Sequence, residues 1–207
     1  MAAFLEKGRT EHPDYYCAPV APFGDPNAQL LVIGLAPGFH GANASGRPFT
    51  GDHAGLLLYR TLHRFGFSNQ PESAHRHDGL RLLNCRITNS VKCVPPENKP
   101  TPVEIRTCNR YLAAELSAEV TPRILLTLGT IAHNATLRAL ALKPSDYRFA
   151  HAAEHILPNG LHLIDSYHCS RYNTQTGRLT EEMFGKVFAR AKELLERGEW
   201  RTADGGR

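Results

Sequence analysis

Three polar stretches, each following a run of apolar residues, hold the side chains able to do chemistry. The first is Gly34-Leu35-Ala36-Pro37-Gly38-Phe39-His40-Gly41, running on to Gly46-Arg47-Pro48-Phe49-Thr50-Gly51-Asp52. The second is Thr88-Asn89. The third is Ser166-Tyr167-His168, with Cys169-Ser170-Arg171-Tyr172-Asn173-Thr174-Gln175-Thr176-Gly177-Arg178 behind it. Singly each has a bland reading: a structural turn, a turn asparagine, a surface histidine. Together they offer a ring to stack on in Phe49, an amide in Asn89 that reads a hydrogen-bonding edge, and an imidazole in His168 that holds a carbonyl. That set suits recognition of a nucleobase drawn out of its stack. Asp52 is the nearest carboxylate, and it suits orientation or deprotonation of a water, a role that contributes roughly 10²–10⁴-fold in rate. Phe49 lies among Gly46, Pro48 and Gly51, so it is expected to be a contact surface more than a packing element.

Two other chemistries are disfavoured by spacing. Gly34, Gly38 and Gly41 match neither G-x-x-x-x-G-K-[ST] nor G-x-G-x-x-G, and no Lys-Ser/Thr pair follows. The G-x-S-x-G elbow of an α/β hydrolase is missing as well.

The elements that must position these residues alternate along the chain. Leu30-Leu31-Val32-Ile33 reads as a buried strand, and a second strand ends at Ile87-Thr88-Asn89-Ser90-Val91. Further strands are expected at Arg123 to Gly129 and Leu161 to Ser166. Helical spacing marks Ala54 to Phe65, Pro102 to Leu116, Ile131 to Leu140 and Glu181 to Glu196, with Thr101 a cap before Pro102. Strand, loop and helix recurring in this way predict an α/β fold: a three-layer α/β/α sandwich with a central, mostly parallel sheet. Ligands in such sheets bind beyond the carboxyl ends of the strands, where all three polar stretches fall.

At 207 residues the chain is expected to form one domain over residues 1–207, with a flexible polar tail at 201–207. Hydrophobic residues make up 42% and charged residues 21%, ordinary values for a globular protein. The formal net charge of +4 permits a nucleic-acid partner without requiring one. No apolar run is long enough to span a membrane, and no signal peptide opens the sequence. Five cysteines, an odd number, argue against a disulfide framework and for a reducing cytoplasm. A monomer is expected.

The motifs resemble the uracil-DNA glycosylase superfamily. The resemblance rests on Gly34 to Gly38, on Gly46 to Asp52, on Ile87 to Cys93 with Pro95-Pro96-Glu97-Asn98-Lys99-Pro100-Thr101-Pro102, and on Ser166-Tyr167-His168 with Asn173 to Arg178. It covers about Pro22 to Leu195. Leu35, His40-Gly41 and the long segment from Asn173 to Arg178 favour family 5 (type B), because the related family 4 usually carries glutamate where Leu35 stands.

The resemblance implies a monofunctional DNA glycosylase that flips and excises uracil, and other deaminated bases such as hypoxanthine, from DNA. No lysine nucleophile is visible in the motifs. Asp52 and His168 would be catalytic, His168 stabilising the departing base. Phe49 would stack on the base and Asn89 bond its edge, with backbone N–H groups around Leu35 and Ala36 as further donors. Arg171 and Tyr172 would fill the gap left by the base or grip phosphates, and Arg47, Arg178, Lys92 and Lys99 are further phosphate candidates. Families 4 and 5 also hold a 4Fe–4S cluster on four cysteines. Cys93 and Cys108 match the second pair of ligands. The first, an N-terminal Cys-x-x-Cys, is absent from this sequence, which reads as starting late, and Cys17 matches no ligand position. Neither Cys93 nor Cys108 lies in the pocket motifs, so replacing either with Ser is expected to disturb the loop from Val94 to Thr101 more than the base pocket. A non-catalytic nucleic-acid binder and a glycosylase acting on another lesion remain open readings.

Overall fold

Alternate residues of one strand feed two different cores. Leu30 and Val32 pack on one side and Leu31 and Ile33 on the other, all at most 5% exposed. A strand apolar on both faces belongs inside a sheet covered twice. The computed structural model, which describes residues 2–117 and 122–198, places it there. The expected tail at 201–207 lies outside the described residues.

The sheet has six strands: β1 (Phe23–Gly24), β2 (Leu30–Gly34), β3 (Cys85–Asn89), β4 (Ile124–Leu128), β5 (Glu154–Ile156) and β6 (His162–Ser166). Their order is β1-β3-β2-β4-β6-β5. The four inner strands are parallel and the two edges antiparallel.

One face is covered by α3 (His53–Arg64) and α7 (Glu181–Arg197), through residues such as Leu58, Leu62, Phe184 and Phe188. The other is covered by α4 (Pro102–Leu116) and α5 (Thr130–Ala139), through Leu112, Leu116, Ala132 and Leu137. This is the three-layer α/β/α arrangement expected from the sequence. The start of α4 follows its local code: Thr101 accepts from Glu104 N–H while Glu104 reaches back to Thr101 N–H, and Pro102 occupies the first turn.

Elements that bury little are the ones that periodicity does not reveal. They are α1 (Ala2–Glu11), with only Leu5 and Gly8 buried, the two-residue β1, the short α2 (Ala42–Ser45), the edge strand β5, and α6 (Arg171–Gln175), which buries nothing. No helix among the described residues is long and apolar enough to cross a membrane.

Candidate active site

The parallel register sets Gly34, the last residue of β2, opposite Asn89, the last of β3. Asn89 is 3% exposed, and its Oδ1 is buried with no hydrogen-bond partner. A buried amide oxygen left unpaired costs free energy and calls for an explanation; a ligand N–H supplies one.

Phe49 lies beside it, held by its backbone. Its φ of +58° is uncommon for an aromatic residue. Tyr59, buried on α3, donates to Pro48 O at 2.6 Å, and Gly55 leaves room for the Phe49 carbonyl. Phe49 is only 6% exposed and belongs to the first core while also lining the site. The expectation of a contact surface more than a packing element is corrected in part: the ring is both, packed in the core and facing the cavity. Its centroid lies 6.2 Å from that of His168, with the planes 29° apart.

His168 follows β6 directly. Gly129 lies against it, since a Cβ there would stand 3.3 Å from His168 Cβ, and Asn173 Nδ2 donates to His168 O at 2.8 Å. Burial alone lowers its pKa to about 4. The ring is therefore neutral at pH 7 and has one N–H to donate and one acceptor nitrogen.

Asp52 precedes α3 at its N-cap position but does not cap it. Its carboxylate instead fills the space left by Gly38 and Gly41, where any Cβ would collide with Oδ1. Burial raises its pKa, while N–H donors from Ala42 (3.2 Å to Oδ2) and Gly38 pull the other way. The result is a carboxylate kept more basic than one in water.

These side chains share one cavity of about 500 Å³. Leu35, Ala36, Pro37, Gly38, Phe49, Asp52, Asn89 and His168 line it, joined by His53, Ala54, Asn98, Ser170 and Arg171. All six residues expected to be catalytic or base-binding are thus brought together.

The model of the uracil DNA glycosylase superfamily matches residues 21–192. The chain is 51% identical over 180 residues to the type-5 uracil-DNA glycosylase of Thermus thermophilus, covering 87% of this chain and 82% of that one. It is 41% identical over 183 residues to the type-5 uracil-DNA glycosylase of Pyrobaculum aerophilum, covering 88% and 79%.

The chain belongs to the uracil DNA glycosylase superfamily.

Within the superfamily the type-4 branch is the more distant. The type-4 uracil-DNA glycosylase of Archaeoglobus fulgidus is 36% identical over 110 residues, covering 53% of this chain and 47% of that one.

The residues expected at DNA phosphates divide sharply. Arg171 is exposed and lines the cavity, Tyr172 is 69% exposed beside it, and Lys99 is exposed on its loop. Arg178 is exposed and lies over the Tyr167 ring, 4.8 Å from its centroid. Arg47 and Lys92 are corrections. Arg47 is 5% exposed, paired to Asp78 at 2.8 Å, donating to Ser73 and to Arg76 O, and packed over Phe23. Lys92 is 6% exposed and bonded to Glu115 and Thr88. Both cations are committed inside the fold.

Two of the cysteines expected to hold a cluster lie near each other. Cys93 is half-buried, with a pKa raised by burial and by the neighbouring Cys108, so the two thiols are close. Cys17, Cys85 and Cys169 are fully buried elsewhere: Cys17 beside Asn43, Cys85 on β3, Cys169 after His168. Among the described residues no group of three or more potential ligands forms. The residues described do not fit a complete 4Fe–4S site, which takes four thiolates.

Two cavity residues escape sequence reasoning. His53 Nε2 lies 3.2 Å from Thr174 Oγ1, linking α3 to α6. Asn98 brings the loop between Cys93 and Cys108 onto the cavity wall. No local pattern marks His53, and the proline-rich motif that holds Asn98 gives no sign that it reaches the cavity, because each arrives there through chain folding.

Proposed function

We propose that this protein is a monofunctional DNA glycosylase: it extrudes uracil from DNA, hydrolyses the N-glycosidic bond and leaves the backbone uncut, initiating base excision repair. One observation carries the reading. The buried, unpartnered Asn89 Oδ1 opens on a cavity that also presents a ring, a neutral imidazole and a basic carboxylate. Uracil carries an imide N–H between two carbonyls, which answers an acceptor and a donor.

Flipping the nucleotide costs roughly a few kcal/mol, offset by stacking on Phe49 and by the bond to Asn89. As the C1′–N1 bond breaks, its electron pair passes to the base and spreads onto O2. The His168 N–H holds that oxygen, a bond that strengthens as charge develops. Asp52 takes a proton from the water whose oxygen bonds to C1′. The uracil anion then takes up a proton from solvent and Asp52 returns its own, so free uracil and an abasic sugar result. No lysine lines the cavity, which supports hydrolysis without a covalent enzyme intermediate. No step passes through a metal cluster; the 4Fe–4S group rests on the resemblance and on the Cys93/Cys108 pair.

A deaminated purine such as hypoxanthine presents a similar N–H beside a carbonyl, and about 500 Å³ accommodates two rings, so we include it as a second substrate.

A labelled oligonucleotide containing one uracil tests the reading. Base release should precede any break, and strands should part only after alkali. Cleavage without alkali would refute the monofunctional assignment. Binding without base release would favour the non-catalytic binder.

A further inference from the structure

Asn98 sits in a backbone conformation that needs a reason. It and Glu97 are consecutive non-glycine residues with positive φ, +55° and +54°. Left-handed backbone at such residues is sparsely populated, and a chain that keeps it next to a cavity points to a use. Here it aims the Asn98 side chain across to the glycine loop, where Oδ1 accepts from Phe39 N–H at 3.2 Å.

That N–H belongs to the peptide joining Gly38 to Phe39. Gly38 itself lies against Asp52: a Cβ on it would collide with Asp52 Oδ1, and its N–H, on the preceding Pro37–Gly38 peptide, helps to lower the Asp52 pKa. Phe39 is held from its other side by rings, with centroids 5.6 Å away in Phe4 and in His12, and Asn43 Nδ2 reaches its carbonyl at 3.4 Å. The Gly38 carbonyl of the same peptide accepts from Gly41 and Asn43 N–H within its own loop, so the Asn98 amide is the contact that ties this segment to the Cys93–Cys108 loop.

We propose that Asn98 is a positioning residue for Asp52: by bonding Phe39 N–H it fixes the backbone at Gly38, against which the carboxylate packs. This rests on the base-excision reading only where excision is the readout. Other charged or titratable groups facing Asp52 are His53 beside it, His168 and Arg171 across the cavity, and Cys169 behind. None of them bonds Asn98, so a change at Asn98 reaches Asp52 through the Gly38–Phe39 peptide.

Three variants test it. Asn98→Asp keeps an acceptor for Phe39 N–H and tolerates left-handed backbone. Asn98→Ala loses the acceptor, and Asn98→Gly loses it while keeping the backbone geometry without strain. Loosening the Gly38 donor removes an influence that lowers the Asp52 pKa, so the base is deprotonated only at higher pH. Single-turnover uracil release should fall about 10-fold in Asn98→Ala and Asn98→Gly, a modest loss for a misplaced group. The acid limb of the rate profile should move to higher pH in both, and Asn98→Asp should stay within about 3-fold of the parent. Carbon-13 titration of the Asp52 carboxyl should show the same order. Wild-type behaviour in all three overturns the proposal. So does Asn98→Asp as slow as Asn98→Ala, which would make the amide donor the active part, and so does Asn98→Gly as fast as the parent. If the parent releases no uracil, the base-excision reading falls, and the Asp52 titration alone still decides the role of Asn98.

Discussion

Gly34 and Asn89 are partners across two parallel strands, and the missing side chain of one makes room for the amide of the other. A Cβ on Gly34 would collide with Asn89 Oδ1 and stand 2.5 Å from Phe49 Cζ. Gly34→Ala should therefore displace both the stacking ring and the reading amide. Uracil excision should drop by about two orders of magnitude, as expected when reacting groups shift by about 1 Å. Single-turnover kinetics beside a circular dichroism melt checks that the fold survives.

Asn89 itself trades stability for recognition. Replacing it with leucine removes a buried unpaired oxygen whose burial costs about 1–3 kcal/mol. Asn89→Leu should melt higher than the parent while excising almost no uracil. Thermal unfolding and base release, measured together, check both halves.

His168→Ala should slow the chemical step by roughly 10²–10³-fold while DNA affinity changes little, because its hydrogen bond strengthens only as the base departs. Equal losses in rate and affinity would make it a contact residue. The same variant carries a stability signature. The folded-state pKa of His168 is depressed from 6.5 to about 4, so its burial contributes stability that is present above pH 6.5 and lost as the pH falls through about 4. Parent protein should lose roughly 2–3 kcal/mol more than His168→Ala over that interval, seen in denaturant melts at stepped pH.

Arg47 and Arg171 should part company under mutation. Arg47→Ala strands Asp78, its buried partner, and should cost about 3–5 kcal/mol of stability with no change in the salt dependence of DNA binding. Arg171→Ala should leave the melt unchanged and reduce the slope of log affinity against log salt by about 1. Fluorescence anisotropy across a salt series, alongside melts, separates the two.

Acidification should also act through Asp78. Burial raises its pKa, but the Arg47 hydrogen bond and N–H donors from Leu80, His75 and Ala74 outweigh it and hold it near 2. The stability from this pair is therefore fully present above the ordinary value of 3.8 and is lost as the pH falls from there through about 2. Parent protein and Asp78→Asn should accordingly show parallel stability curves from pH 5 to 7 and converge toward pH 2.

The sequence alone determined the inner strands, the four long helices and the three motif loops. Each is written locally: continuous apolar runs for strands buried on both faces, 3.6-residue spacing for helices, and Thr101-Pro102 for the start of α4. It also singled out Phe49, Asp52, Asn89 and His168, which the fold brings to one cavity, because chemistry-bearing types cluster just after strands. What each arginine does was decided by tertiary structure. Arg47 and Arg171 both read as cations in polar loops, and only the position of Asp78, remote in sequence, makes one of them internal. The edge strand β5 depends on the backbone of β6 more than on its own side chains. The neutrality of His168, the raised basicity of Asp52 and the arrival of Asn98 at the cavity all come from burial and long-range contact. A one-dimensional pattern records which groups are present, whereas desolvation and hydrogen bonding depend on which groups surround them in the folded chain.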